Sequence, residues 1–155
     1  MRPIDASTCI DRGEYPGLSE IPRTQVDHAE AVQACEGRGA RLCSTPEWRR
    51  ACKGPSNFRH PYGARAELDR CNGASASGAV QDLSRSGARD ACVTQSGVFD
   101  LEGNVAEWVS EAAALGGDSA TRSPSCDTRV KPSAQTRAAT LGFRCCLSLG
   151  AQPGA

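Results

Sequence analysis

Gly97-Val98-Phe99-Asp100-Leu101-Glu102-Gly103-Asn104-Val105-Ala106-Glu107-Trp108 is the stretch on which the reading of this chain turns. Short apolar and aromatic runs flank a Gly-Asn pair, so residues 97–101 read as a strand, 103–104 as a turn and 106–109 as a second strand. Upstream, residues 56–96 are rich in Gly, Ala, Ser, Arg and Asp and hold no period of 2 or 3.6, which predicts long loops. Loops of this length inside a compact domain are functional or pinned by cross-links, and Cys71 and Cys92 are well placed to pin this one. Downstream, residues 112–140 also read as loop, Leu141–Leu147 as a closing strand and 150–155 as a disordered tail. At the other end, Cys9 to Pro16 reads as a short strand stopped by proline.

Two helices stand out between these segments. Asp27 followed by Glu30 has the form of a capping box, with Val26 as staple residue. Ala31, Val32, Ala34 and Cys35 give an apolar stripe, and Gly37 and Gly39 the stop, so a helix is predicted over 28–37. Ser44 or Thr45 caps the second helix, over 45–53. Pro46 suits its first position and Glu47 its dipole. Trp48, Ala51 and Cys52 share one face, Gly54-Pro55 ends the helix, and Trp48 reads as a core anchor.

A length of 155 residues corresponds to one domain. Eighteen Lys and Arg balance eighteen Asp and Glu, which removes the footprint of a nucleic-acid or polybasic membrane-surface binder. No stretch approaches the roughly 20 apolar residues a membrane helix needs, so no membrane insertion is expected.

Nine cysteines, at 9, 35, 43, 52, 71, 92, 126, 145 and 146, are the compositional outlier. No Cys-x-x-Cys occurs and His28 and His60 are the only histidines, which argues against zinc and thioredoxin-type chemistry. Well-separated cysteines in a loop-rich chain predict a disulfide framework over Cys9, Cys35, Cys43, Cys52, Cys71, Cys92, Cys126, Cys145 and Cys146, with one unpaired because the count is odd. Reduced buried thiols are the alternative. The framework implies an extracytoplasmic location: periplasmic, cell surface or secreted. Met1-Arg2-Pro3-Ile4 leads into polar sequence without an apolar h-region, so the expectation is a removed export signal or a chain cut from a larger, bacterial-type multidomain protein.

Four blocks then occur in a recognisable order: Arg41-Leu42-Cys43-Ser44-Thr45-Pro46-Glu47-Trp48, Pro61-Tyr62-Gly63, the Gly97–Trp108 stretch, and Leu141-Gly142-Phe143-Arg144-Cys145. Over residues 9–148 they resemble the formylglycine-generating enzyme (sulfatase-modifying factor) family. The resemblance implies an α+β, C-type-lectin-like domain over residues 1–149: two short helices, short twisted strands, abundant loops, and first and last strands side by side. Cys35 with Cys145 or Cys146 resembles the helix-to-final-strand bridge of lectin-like domains. The remaining connectivity stays open.

The family's enzymes oxidise a cysteine to formylglycine with oxygen and a copper ion held by two thiolates five residues apart. Soft sulfur ligands suit Cu(I). Gly116-Gly117-Asp118-Ser119 matches the block that precedes them, Cys126 matches the first thiolate, and Lys131 stands at the second. Half the copper site is therefore missing, and Cys126 is a catalytic residue only under the oxidase alternative. Otherwise it is a disulfide partner or a free thiol. Ala106 and Ser119 stand where the family carries aromatics. Calcium is the other cofactor implied, with Asn104, the Val105 carbonyl and Glu107 at matching positions and of the hard-oxygen type that ion prefers. The alternative for these residues is a left-handed turn at Asn104 and a buried ion pair between Glu107 and Arg144.

The reading is a non-catalytic recognition or structural module, with a protein or glycan ligand or other domains of the same protein as partner. A copper-dependent oxidase is the alternative. A variable ligand-binding protein on the same fold is the third, against which stands the lack of Asn in 127–140.

Overall fold

The computed structural model describes residues 1–75 and 77–150; the tail expected at 150–155 otherwise falls outside them. Among the described residues the order is β1 (Arg2–Pro3), β2 (Thr8–Ile10), α1 (His28–Glu36), β3 (Arg41–Leu42), α2 (Thr45–Lys53), β4 (Ala106–Val109), β5 (Ala113–Leu115), β6 (Arg129–Val130), β7 (Leu141–Phe143) and β8 (Cys145–Ser148). This is the expected α+β, C-type-lectin-like architecture. Among the described residues no helix is long and apolar enough to cross a membrane.

Both helices begin where the sequence says they should. The Asp27 carboxylate accepts from the Glu30 amide and the Glu30 carboxylate accepts from the Asp27 amide, so two orphan donors are satisfied reciprocally. Ser44 and Glu47 repeat the device at α2, which the sequence reading had credited only to a cap and a dipole. α1 stops at Glu36, one residue early, and Gly37 caps it in right-handed geometry while Gly39 takes the left-handed turn.

The chain closes on itself through two four-stranded sheets. In the first, ordered β1-β2-β8-β3, Cys9 faces Leu147 across an antiparallel pair, so the two ends of the domain lie together. In the second, ordered β6-β5-β4-β7, β4 runs parallel to β7, with Trp108 beside Phe143. Two cores form, and each draws on both sheets. One packs Trp48, Leu101, Val109, Leu115 and Ile10; the other packs Trp108, Phe143, Leu42, Ala31 and Val26.

Four strand expectations need correction. Residues 97–101 form no strand beyond a single bridge, Val93 to Phe99, because Gly97 and Asp100 both have positive φ, which breaks an extended run. Residues 112–140 are not all loop: Ala113–Leu115 is buried on both faces, so the alternation that reveals a half-buried strand is missing there. The closing strand is two strands, split at Arg144, which leaves one sheet and enters the other. The first strand ends at Ile10 rather than Pro16.

Four disulfides staple the described chain: Cys35–Cys145, Cys43–Cys146, Cys52–Cys126 and Cys71–Cys92, with Cys9 free. The first is the helix-to-final-strand bridge the resemblance implied, and the fourth pins the 56–96 loop as expected. Adjacent Cys145 and Cys146 point to opposite faces of β8, so one staples each core. Peptide mapping under non-reducing conditions should return these four pairs and one free thiol at Cys9. Replacing Cys35 and Cys145 by Ser should cost about 2–5 kcal/mol in urea unfolding, because the pair closes a loop of 110 residues.

Candidate functional site

Two places carry the chemistry anticipated for this chain, the Gly103–Glu107 turn and the Cys126 segment, and a third, a cleft beside Glu102, joins them. The turn is built by close backbone approach. Gly103 has φ 70°, and a Cβ there would lie 2.4 Å from the Asn72 carbonyl oxygen, so only glycine fits. Asn104 follows, also left-handed at φ 58°.

The side chains expected to hold calcium are fully committed elsewhere. Asn104 Oδ1 accepts from Asn72 Nδ2 and from the Ser84 amide, each at 2.9 Å. Its Nδ2 donates to Glu14 Oε1 and to the Ser84 carbonyl. That is every hydrogen bond an asparagine side chain can make. Glu107 accepts from Trp48 Nε1 and Arg144 Nε at Oε2, both at 2.7 Å, and from Arg144 Nη2 at Oε1 at 2.6 Å. With Asn104 and Glu107 so engaged and only the Val105 carbonyl left over, this set does not fit a calcium ion. The oxygens hold protein donors instead, as in the alternative reading of the same residues.

Arg144 is the centre of this network. It is completely buried, pairs with Glu107, and also donates to the carbonyls of Asp11, Phe99 and Asp100. Two further carboxyls face it, Glu14 and Asp100. Burial, and the negative charge of Asp100 and Glu107, push Glu14 up to about 8, so it holds its proton at neutral pH. Asp100 is likewise raised, mainly by burial.

The copper alternative meets a similar obstacle. Cys126 is buried and its sulfur is bonded to Cys52 of α2, while Lys131 is exposed. A sulfur in a disulfide offers no thiolate, so Cys126 and Lys131 do not fit a two-thiolate copper site. Ala106, at a position where the resemblance implied that the family carries an aromatic, packs in the second core, and Ser119 is buried.

The cleft was not singled out by the sequence. It has a volume of about 50 Å³, and Tyr62, Glu67, Leu68, Asp69, Glu102 and Pro124 are among its walls. A tight turn, closed by reciprocal hydrogen bonds between His60 and Gly63, sets His60 and Tyr62 side by side with their rings stacked at 5.3 Å. His60 Nδ1 lies 2.8 Å from Glu102 Oε1, and both side chains are buried. Desolvation lifts the Glu102 carboxyl to about 8 and lowers His60. His60 and Glu102 are 42 residues apart in sequence, so no motif spacing could have found them.

An α+β lectin-like core with an internal charge network and disulfide-stapled loops defines the class. The chain belongs to the sulfatase-modifying factor enzyme 1-like domain family, whose model matches residues 3–149. Solved structures with the same fold include PvdO from Pseudomonas aeruginosa, at 20% identity and TM-score 0.71, over 87% of this chain and 65% of that one. Treponema denticola variable protein 1 superposes at 16% identity and TM-score 0.68, over 86% of this chain and 74% of its own. CarF does so at 17% identity and TM-score 0.69, over 88% and 70%. The chain thus spans just under two thirds of the length of PvdO. No curated protein matches it in sequence.

Two outcomes follow from the buried charges. Arg144→Met, which strands Glu107, should cost about 3–5 kcal/mol in urea unfolding. For pH, Glu14 and Glu102 have folded values near 8 against 4.5 for an ordinary glutamate. The folded chain therefore binds more protons than the unfolded one over that interval. Their contribution to stability is complete below pH 4.5 and is lost as the pH rises through 8. His60, lowered from 6.5, acts the other way only up to that value. Urea midpoints should therefore fall between pH 6.5 and 8.5, each carboxyl contributing at most about 1.4 kcal/mol per pH unit. Glu14→Gln should flatten the profile.

Proposed function

We propose that this domain is a non-catalytic recognition module of its family, working outside the cytoplasm on a protein or glycan ligand or on neighbouring domains. The observation that carries the reading is the Cys52–Cys126 disulfide. It takes up the only sulfur at the matched copper position, and Lys131 supplies none. Activating oxygen for cysteine oxidation needs a redox centre that these residues do not hold. The fold is kept while the chemical groups are replaced, a common fate of widely used scaffolds.

The location follows from the same sulfurs. Eight of nine cysteines are paired, a state that persists in oxidising compartments. Export, rather than a cytosolic role, is the reading that keeps these staples intact.

The test is to incubate the purified domain with Cu(I), oxygen and a sulfatase-type cysteine peptide and to look for the aldehyde by mass spectrometry. The expected result is unchanged peptide. Turnover by the wild-type chain would overturn the assignment and restore the copper-dependent oxidase.

A further inference from the structure

We infer that the groove between the edge strand β1 and the end of α2 is a docking site for an extended acidic peptide that inserts one aliphatic side chain. This rests on the recognition reading and narrows its ligand to a protein segment. The groove has a volume of about 490 Å³, and Pro3, Ile4, Ala51 and Pro55 give it an apolar floor, with Arg50 and Ser96 as polar walls. Pro3 and Pro55 are exposed, so the floor faces solvent. An aliphatic side chain laid on it removes apolar surface from water on both sides of the contact.

The cations around this floor select what flanks that side chain. Two of them are already matched. Arg50 is paired with Asp5 and Lys53 with Asp127, and both stand in the last turn of α2, where positive charge suits the helix dipole. Three others form no ion pair among the described residues: Arg2, Arg12 and Arg49. Arg2 Nε, Arg2 Nη2 and Arg12 Nη2 converge beside Gly97, the neighbour of Ser96, each 3.4 to 3.8 Å from the point where a Cβ would stand. Arg12 is fixed there, because its Nε donates to the Gly97 carbonyl at 3.1 Å and its guanidinium lies over the Phe99 ring. Arg49 lines a second recess of about 400 Å³ that shares Arg50 and Gly54 with the groove, and its Nε is buried without a hydrogen-bond partner. Asp127 is the carboxylate whose field reaches Arg49, and Lys53 already holds it. In a chain of zero net charge, three unmatched guanidiniums beside one apolar groove call for carboxylates from outside. Guanidiniums take carboxylates in paired hydrogen bonds. A sulfated glycan offers the negative charge but no aliphatic side chain for the floor, which is why the groove favours a peptide.

The experiment titrates the full domain, at about 50 mM salt, with the peptide acetyl-Asp-Asp-Leu-Asp-Asp-amide and two variants of it, one with Asn for every Asp and one with Ala for Leu. Calorimetry measures affinity, and amide chemical shifts locate the site. The parent peptide should bind at least about tenfold more tightly than the Asn variant, a margin that shrinks with added salt, and at least about fivefold more tightly than the Ala variant. Shifts should be confined to residues 2–4, 12, 49–55 and 96–97. Arg2→Gln and Arg49→Gln, which remove no hydrogen bond from the described fold, should each weaken the parent peptide about threefold, the scale of one exposed charge pair, and leave the Asn variant unchanged. Arg23→Gln, on the segment beside the second core, should change neither. Equal affinity for the parent and the Asn variant, shifts located elsewhere, wild-type affinity in both arginine variants, or no binding below about 10 mM would overturn the proposal. A heparin fragment that shifts the same amides and binds more tightly than the peptide would overturn it in favour of a sulfated glycan. Aldehyde formation in the copper assay would instead overturn the recognition reading, so the two failures are told apart.

Discussion

The ion pair between Arg144 and Glu107 is the constraint on which the rest of this structure depends. Arg144 sits between β7 and β8, the two strands that belong to different sheets, and Glu107 sits on β4. Joining them fixes the angle at which the chain passes from one sheet to the other. The guanidinium's remaining donors go to carbonyls of the 11 and 99–100 loops, so segments with little regular hydrogen bonding are tied to one buried cation. Trp48 completes the link by donating from α2 to the same carboxylate, and thereby joins the two cores.

A domain with so few ladder bonds needs such substitutes. Four disulfides do part of the work by limiting the unfolded ensemble, and side-chain amides such as Asn104 do another part by serving four backbone or side-chain partners each. The cost falls on acid groups. Three carboxyls share one guanidinium, and the surplus charge is removed by keeping Glu14 protonated. Residues that match metal-binding positions by sequence have been absorbed into this internal framework.

The same logic separates framework from function. Glu107 and Asn104 are saturated by protein partners and have nothing to offer a ligand. Cys126 is saturated by Cys52. Glu102 is bonded to His60 and also lines a cleft.

By itself the sequence determined the family, both helices with their caps, the pairing of the chain's two ends, and a disulfide framework with one cysteine left over. These follow from local signals: Asp27 and Glu30 lie three residues apart, Pro46 opens a helix, and motif blocks are contiguous. It also placed Glu107 and Arg144 as potential partners. Only the tertiary structure decided that Cys35 takes Cys145 rather than Cys146, that Cys43 and Cys52 meet Cys146 and Cys126, that Ala113–Leu115 is a strand, and that the closing strand changes sheets at Arg144. A strand buried on both faces loses the alternation that would reveal it, and disulfide partners 74 to 110 residues apart share no local pattern. His60 and Glu102 meet for the same reason that no sequence reading could foresee: a turn at one end of a long loop folds back over a bend in another segment, and contact in space has no counterpart in spacing.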